Sequence, residues 1–163
     1  MSNNWIDDKK WSDKFLPEIK KILGENLIKE APLEEDKNHN TDLMVLTLGA
    51  IRVGCRVRKY EYFLKYPNDI TIRSERTYGK TELAKIISGW GNYFFYGFSN
   101  ENETNLISWK LLSLNEFRLW FNYEIIKTKK IPGNKQHNKD NSADFIAFDT
   151  TQMFNSIILN KFN

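Results

Sequence analysis

An α+β fold, a mixed β-sheet flanked by helices in the order α-β-β-β-α-β-β-α-β, is what this sequence predicts. Three observations lead there. Apolar residues recur at helical spacing in three separate stretches. Apolar and polar residues alternate through 51–57 and 69–75, as in half-buried strands. The stretch 93–98 (YFFYGF) is apolar almost throughout, which marks a central strand covered on both faces. With 163 residues, 40 % apolar and 14 % aromatic, the chain has material for one α/β domain over 1–163, and no internal repeat divides it.

Taken in order, Trp5, Ile6 and Trp11 open a short helix or ordered arm. Phe15, Leu16, Ile19, Ile22, Leu23 and Leu27 then keep helical spacing, with Pro17 tolerated in the first turn, and this helix ends before Pro32. An acidic, turn-like run over 32–40 carries Glu34, Glu35, Asp36 and His39. Two strands, 43–48 and 51–57, meet at Gly49-Ala50 as a hairpin. Period 2 places Ile51, Val53, Cys55 and Val57 on one face of the second strand and Arg52, Gly54, Arg56 and Arg58 on the other. A connection with Tyr60, Tyr62 and Tyr66 leads to a third strand, 69–75; laid beside the second, it adds Arg73 to the arginine row.

Thr81 is placed to cap a second helix bearing Leu83, Ile86, Ile87 and Trp90, with Gly91 as its stop. The aromatic strand and a strand over 106–112 follow. Ser113 and Glu116 have the form of a capping box for a third helix that turns Phe117, Trp120 and Phe121 inward. Residues 128–142, rich in Lys, Asn and Gly, read as a flexible basic loop. The run 144–149 (DFIAFD) is the last strand, before an amphipathic tail.

Arginine usage carries the functional signal. Six arginines stand against eighteen lysines, and five of the six (Arg52, Arg56, Arg58, Arg73, Arg76) fall within 41–76. A chain that otherwise uses lysine uses arginine here, where a planar, permanently charged fork suits phosphate or carboxylate. Residues 51–85 carry nine Lys/Arg and four Asp/Glu within a net charge of +3, the footprint expected for nucleic acid or another phosphate-bearing anion. Those arginines and Lys80 are its candidate contacts. Tyr60, Tyr62 and Tyr66 lie between two arginine strands, placed to stack on bases.

Other chemistries find little material. There is no Gly-rich phosphate loop, Cys/His cluster or nucleophile elbow. The single cysteine, Cys55, forms no internal disulfide and reads as a small core residue, while His39 and His137 read as solvated loop residues. No apolar run approaches the ~20 residues that span a bilayer, and the first residues are acidic and polar where a signal peptide is basic and then apolar, so the expected address is the cytoplasm and no membrane partner is expected. Eighteen asparagines beside abundant lysine and isoleucine suggest an AT-rich source such as a phage or mobile element.

A glutamate-bearing helix, an Asp at a strand start, a hairpin into a charged-x-charged triplet, then a helix and an aromatic strand: over about residues 15–112 this arrangement resembles the core of the PD-(D/E)XK nuclease superfamily. Thr41-Asp42 matches the PD position, and Arg56-Val57-Arg58 falls where the family has (D/E)-x-K. The resemblance implies a restriction-endonuclease-like fold, Mg²⁺ or Mn²⁺ held by the acids, and DNA cleavage. Arginine at position 56 cannot ligate a metal, so a migrated set is implied: Asp42, Asp69 and Glu82 with Lys85 as the cation, the metal on Asp42 and Asp69, and Glu35 and Glu75 as further candidates. The expected function is nucleic-acid binding on a nuclease-like fold, with metal-dependent cleavage by the migrated acids. The alternative is a non-catalytic phage or mobile-element binder that masks nucleic acid or blocks a host protein. A third reading has the arginines engaged with internal carboxylates.

Overall fold

The computed structural model describes residues 3–24, 28–30, 43–46, 50–76, 79–137 and 143–162. Helices α1 (Asn3–Asp13) and α2 (Leu16–Leu23) come first. Then follow β1 (Ile28–Glu30), β2 (Leu43–Leu46), β3 (Ala50–Arg58), α3 (Tyr60–Lys65), β4 (Asp69–Arg76), α4 (Glu82–Ile87), β5 (Tyr93–Ser99), β6 (Leu106–Ser113), α5 (Leu114–Thr128), β7 (Asn134–His137), β8 (Ala143–Asp149) and β9 (Ile158–Phe162). Two 3-10 turns, Thr150–Gln152 and Asn155–Ile157, link the last two strands. This is the expected α+β fold, a mixed sheet with flanking helices.

Six strands form the larger sheet in the order β1-β2-β3-β5-β6-β9. The β3–β5 pair is parallel and the others are antiparallel. The apolar stretch forms β5, between β3 and β6 and buried along nearly its whole length. Its alternate residues serve two cores. Phe95 packs with Val53, Val57, Phe15 and Ile19 beneath α2, while Phe94, Tyr96 and Phe98 face α4, α5 and the second sheet.

That second sheet corrects one expectation. β4 does not lie beside β3; it pairs with β8 in a three-stranded antiparallel sheet ordered β4-β8-β7. The register Ile70↔Phe148 and Ile72↔Ile146 puts four apolar side chains on one face, into the core with Phe117, Trp120 and Phe121. A strand can satisfy its apolar face with any covered partner, so alternation in 69–75 fixed which face is buried and left the neighbour open.

The two N-caps follow the sequence, while the expected stop at Gly91 does not: α4 ends at Ile87, with Gly89 at φ 96° turning the chain and Trp90 beyond the helix. Thr81 accepts from Ala84 N at 3.2 Å and Ser113 from Glu116 N at 3.4 Å. Residues 134–137 of the expected loop form β7 instead, paired with β8; 138–142 lie outside the described residues. Gly133 makes the approach to β7 feasible: its φ is 89°, and a Cβ there would come 2.5 Å from Ile146 Cγ2 and 2.7 Å from the Ala147 carbonyl. Gly133→Ala is therefore expected to cost about 1 kcal/mol or more, read by urea denaturation.

α1 is tied to the β5–β6 turn by Glu103, which accepts from Trp11 Nε1 at 2.6 Å and from Lys14 at 3.1 Å and pairs with Lys59. The Trp11 hydrogen bond first, then the two lysines, hold its carboxyl down to about 2 from an ordinary 4.5. A depressed carboxyl contributes above its ordinary value and loses that contribution as pH falls through the folded one. Trp11 fluorescence should therefore report release of α1 between about 4.5 and about 2, and Glu103→Gln should remove that step. Among the described residues, no helix is long and apolar enough to cross a membrane.

Candidate functional site

Cross-strand partners share a face, so the register builds the site. Opposite the apolar face of the β4–β8 pair stand Asp69, Thr71 and Arg73 from β4 and Phe145 and Ala147 from β8. The arginine face of β3 looks the same way, away from the Val53 and Val57 core. Between the two sheets, α1 and α3 lies a cleft of about 700 Å³, lined by Arg58, Tyr62, Tyr66, Asp69, Thr71, Tyr96, Phe98 and Phe145 and also by Asp7, Asp8, Gln136 and His137.

The arginine row is not a free basic surface. Arg56 reaches Glu82 at 2.6 Å, donates to the Thr71 carbonyl at 3.2 Å and lies 5.8 Å from the centre of the Phe145 ring. Glu82, 5 % exposed at its side chain, also accepts from the Arg73 backbone N–H at 2.9 Å. The Arg73 guanidinium stands 5.7 Å from Phe145. Arg56 and Glu82 thus join β3, β4 and α4, the internal pairing that the sequence offered as a third reading. Arg52 binds Asn92 through its backbone. Arg76 closes β4, its side chain outside the described part of the structure, and Lys80 is exposed.

Arg58 differs from its neighbours. Its guanidinium lies 4.0 Å from the centre of the Tyr62 ring, at the cleft wall. Tyr62 and Tyr66 are 41 % and 53 % exposed. The expected stacking residues therefore separate: Tyr62 and Tyr66 line the cleft, and Tyr60 stacks on Phe63.

Of the migrated set of acids, Asp69 and Glu82 are the two within the described residues, and they do not converge. Asp42, Glu35 and His39 lie outside the described residues. Asp69 and the Arg73 N–H that Glu82 holds are four residues apart on one strand, about 13 Å at the usual rise, too far for one ion. Lys85 is buried on α4. Glu75 is exposed and paired with Lys135 at 2.8 Å. No group of three or more His, Cys, Asp or Glu among the described residues is arranged to hold a metal. Of the two proposed ligands for Mg²⁺ or Mn²⁺, only Asp69 stands in described structure, and the described donors around it do not make up the set the resemblance implies.

Asp69 has a different neighbour, Asp149, its register partner on β8. Asp149 accepts from the Thr151 hydroxyl at 2.7 Å and backbone at 2.9 Å and from Gln152 at 3.3 Å, which holds its carboxyl below the ordinary range. Burial first, then the charge of Asp149, push Asp69 upward, with Lys110 pulling against them. Lys110, 4 % exposed, donates to the Pro67 carbonyl at 2.7 Å; burial, then Lys161, push its ammonium down. Sequence reasoning missed Asp149, Lys110 and Tyr96. The Asp at each end of DFIAFD was the available signal for Asp149, while a lysine inside an alternating strand was the signal for Lys110. His137 proves to be a strand residue lining the cleft, its Nδ1 2.7 Å from Asp144.

No protein-family model matches the chain, and no curated protein matches it. The chemistry of the cleft therefore rests on its own residues.

Proposed function

We propose that this protein binds nucleic acid without turnover, taking a single strand into the cleft between its two sheets. The observation that carries the reading is the Arg58–Tyr62 stack at the wall of a cavity of about 700 Å³. That volume falls within the ~300–1,000 Å³ typical of ligand clefts, a size that suits about one or two nucleotides of a single strand. A guanidinium held against an aromatic ring is already ordered, so it loses less freedom on meeting a phosphate. Tyr66 adds an exposed aromatic face on which a base stacks, a contact worth ~1–3 kcal/mol per base. Asp7 and Asp8 line the α1 side of the cleft and repel phosphate, so the backbone follows the α3 side, where Lys65 is exposed.

The test is fluorescence anisotropy of a labelled single-stranded oligonucleotide. Arg58→Gln is expected to weaken binding about tenfold and to reduce the salt dependence by one phosphate contact. Equal binding by the parent and Arg58→Gln would sink the proposal. The nuclease alternative is settled in the same tubes: with Mg²⁺ or Mn²⁺ added, the strand is expected to stay intact, and cleavage would replace the binding reading with a catalytic one.

A further inference from the structure

We infer that the cleft selects guanine, the base whose Watson–Crick edge meets the Asp69 carboxylate with two adjacent N–H donors. This rests on the reading of the cleft as a nucleic-acid site and adds base preference to it. Asp69 lies on the cleft face of β4, and among the described residues no hydrogen bond reaches its carboxylate. An ionised carboxylate only accepts, through two oxygens side by side. Guanine offers N1–H and the N2 amino group next to each other. Adenine and cytosine pair a single amino group with a ring-nitrogen lone pair, and thymine or uracil flanks its N3–H with carbonyls, so each sets an acceptor against one carboxylate oxygen.

The second group is a hydroxyl pair. Thr71, two residues along the same face, has its Oγ1 3.0 Å from the Tyr96 hydroxyl. One hydroxyl proton bridges the two oxygens, and the other is available to donate, which suits the guanine O6. Tyr66 supplies the stacking face and Arg58 the phosphate contact already assigned. Partial burial and the charge of Asp149 disfavour the bare Asp69 carboxylate, and two N–H donors relieve that cost, as hydrogen bonds to the charged form do.

The experiment compares the intact protein on a short thymidine strand carrying one central guanine, the same strand without it, and free GMP as competitor. The guanine strand should bind about tenfold tighter or more, in line with one good bidentate contact, and Asp69→Asn should abolish the preference, since its amide nitrogen opposes a guanine donor. Asp69→Asn also removes the repulsion from Asp149, and circular dichroism checks its fold. Thr71→Val combined with Tyr96→Phe, which takes away both hydroxyls, should lower the preference independently. Equal affinity for both strands in the parent overturns the guanine inference and leaves the cleft reading standing. Failure of both strands and GMP to bind overturns both. Competition by GMP as strong as that of the guanine strand upholds the base site and assigns it to the mononucleotide.

Discussion

Glu82→Ala is expected to destabilise the protein by about 3–5 kcal/mol, the cost typical of leaving one member of a buried ion pair alone. Glu82 is 5 % exposed and Arg56 18 %, with 2.6 Å between them, and the same carboxylate holds the Arg73 backbone N–H. Removing it leaves a guanidinium in the wall between two sheets and an unmatched N–H on β4. Urea denaturation with an unchanged slope measures the loss. A double change, Arg56→Met with Glu82→Leu, should recover much of it, because what costs is the uncompensated charge and not the absence of the pair. A loss below about 1 kcal/mol for Glu82→Ala would show that the pair is solvated and does not hold the sheets together.

The second large effect lies in the core under the smaller sheet. Phe148 is fully buried, and its ring meets Phe117, Trp120 and Phe121 at centroid distances of 5.3, 6.0 and 6.3 Å. Truncating such a residue removes apolar burial and leaves a cavity that three rigid rings cannot collapse to fill, so Phe148→Ala should cost about 3–5 kcal/mol. Phe148→Leu should cost visibly less. Thermal and urea denaturation of both variants measure this, and equal losses would mean that the rings do not pack as a unit.

Both effects concern joints that the sequence showed only in part. The capping residues Thr81 and Ser113, the central aromatic strand and the two faces of β3 follow from local rules, and local rules suffice because each depends on residues a few positions away. The partner of β4 does not. Ile70 and Ile72 declare a buried face, yet nothing near them says whether β3 or β8 covers it, and the answer joins residues 69–76 to 143–149. That choice also decides the site. With β4 beside β3 the arginines form one exposed row; with β4 in a second sheet, Arg56 turns to Glu82 and Arg58 is left at the cleft with Tyr62. The arginine at position 56 was visible in the sequence, and its partner Glu82, 26 positions on and across the gap between the sheets, was not. Asp69 entered as a candidate acid through the nuclease resemblance, and its strand-start position alone marks only a turn residue, while its neighbour Asp149 depended on the same long-range pairing.

The most direct test of the account is a titration of the isotope-labelled protein with an unlabelled single-stranded oligonucleotide, followed by amide and side-chain NMR shifts. Binding in the cleft predicts the largest changes at Arg58, Tyr62, Tyr66, Asp69 and Phe145, with the Arg56–Glu82 joint nearly still. Changes confined to the exposed lysines 127, 129 and 130, or no changes at all, would contradict it.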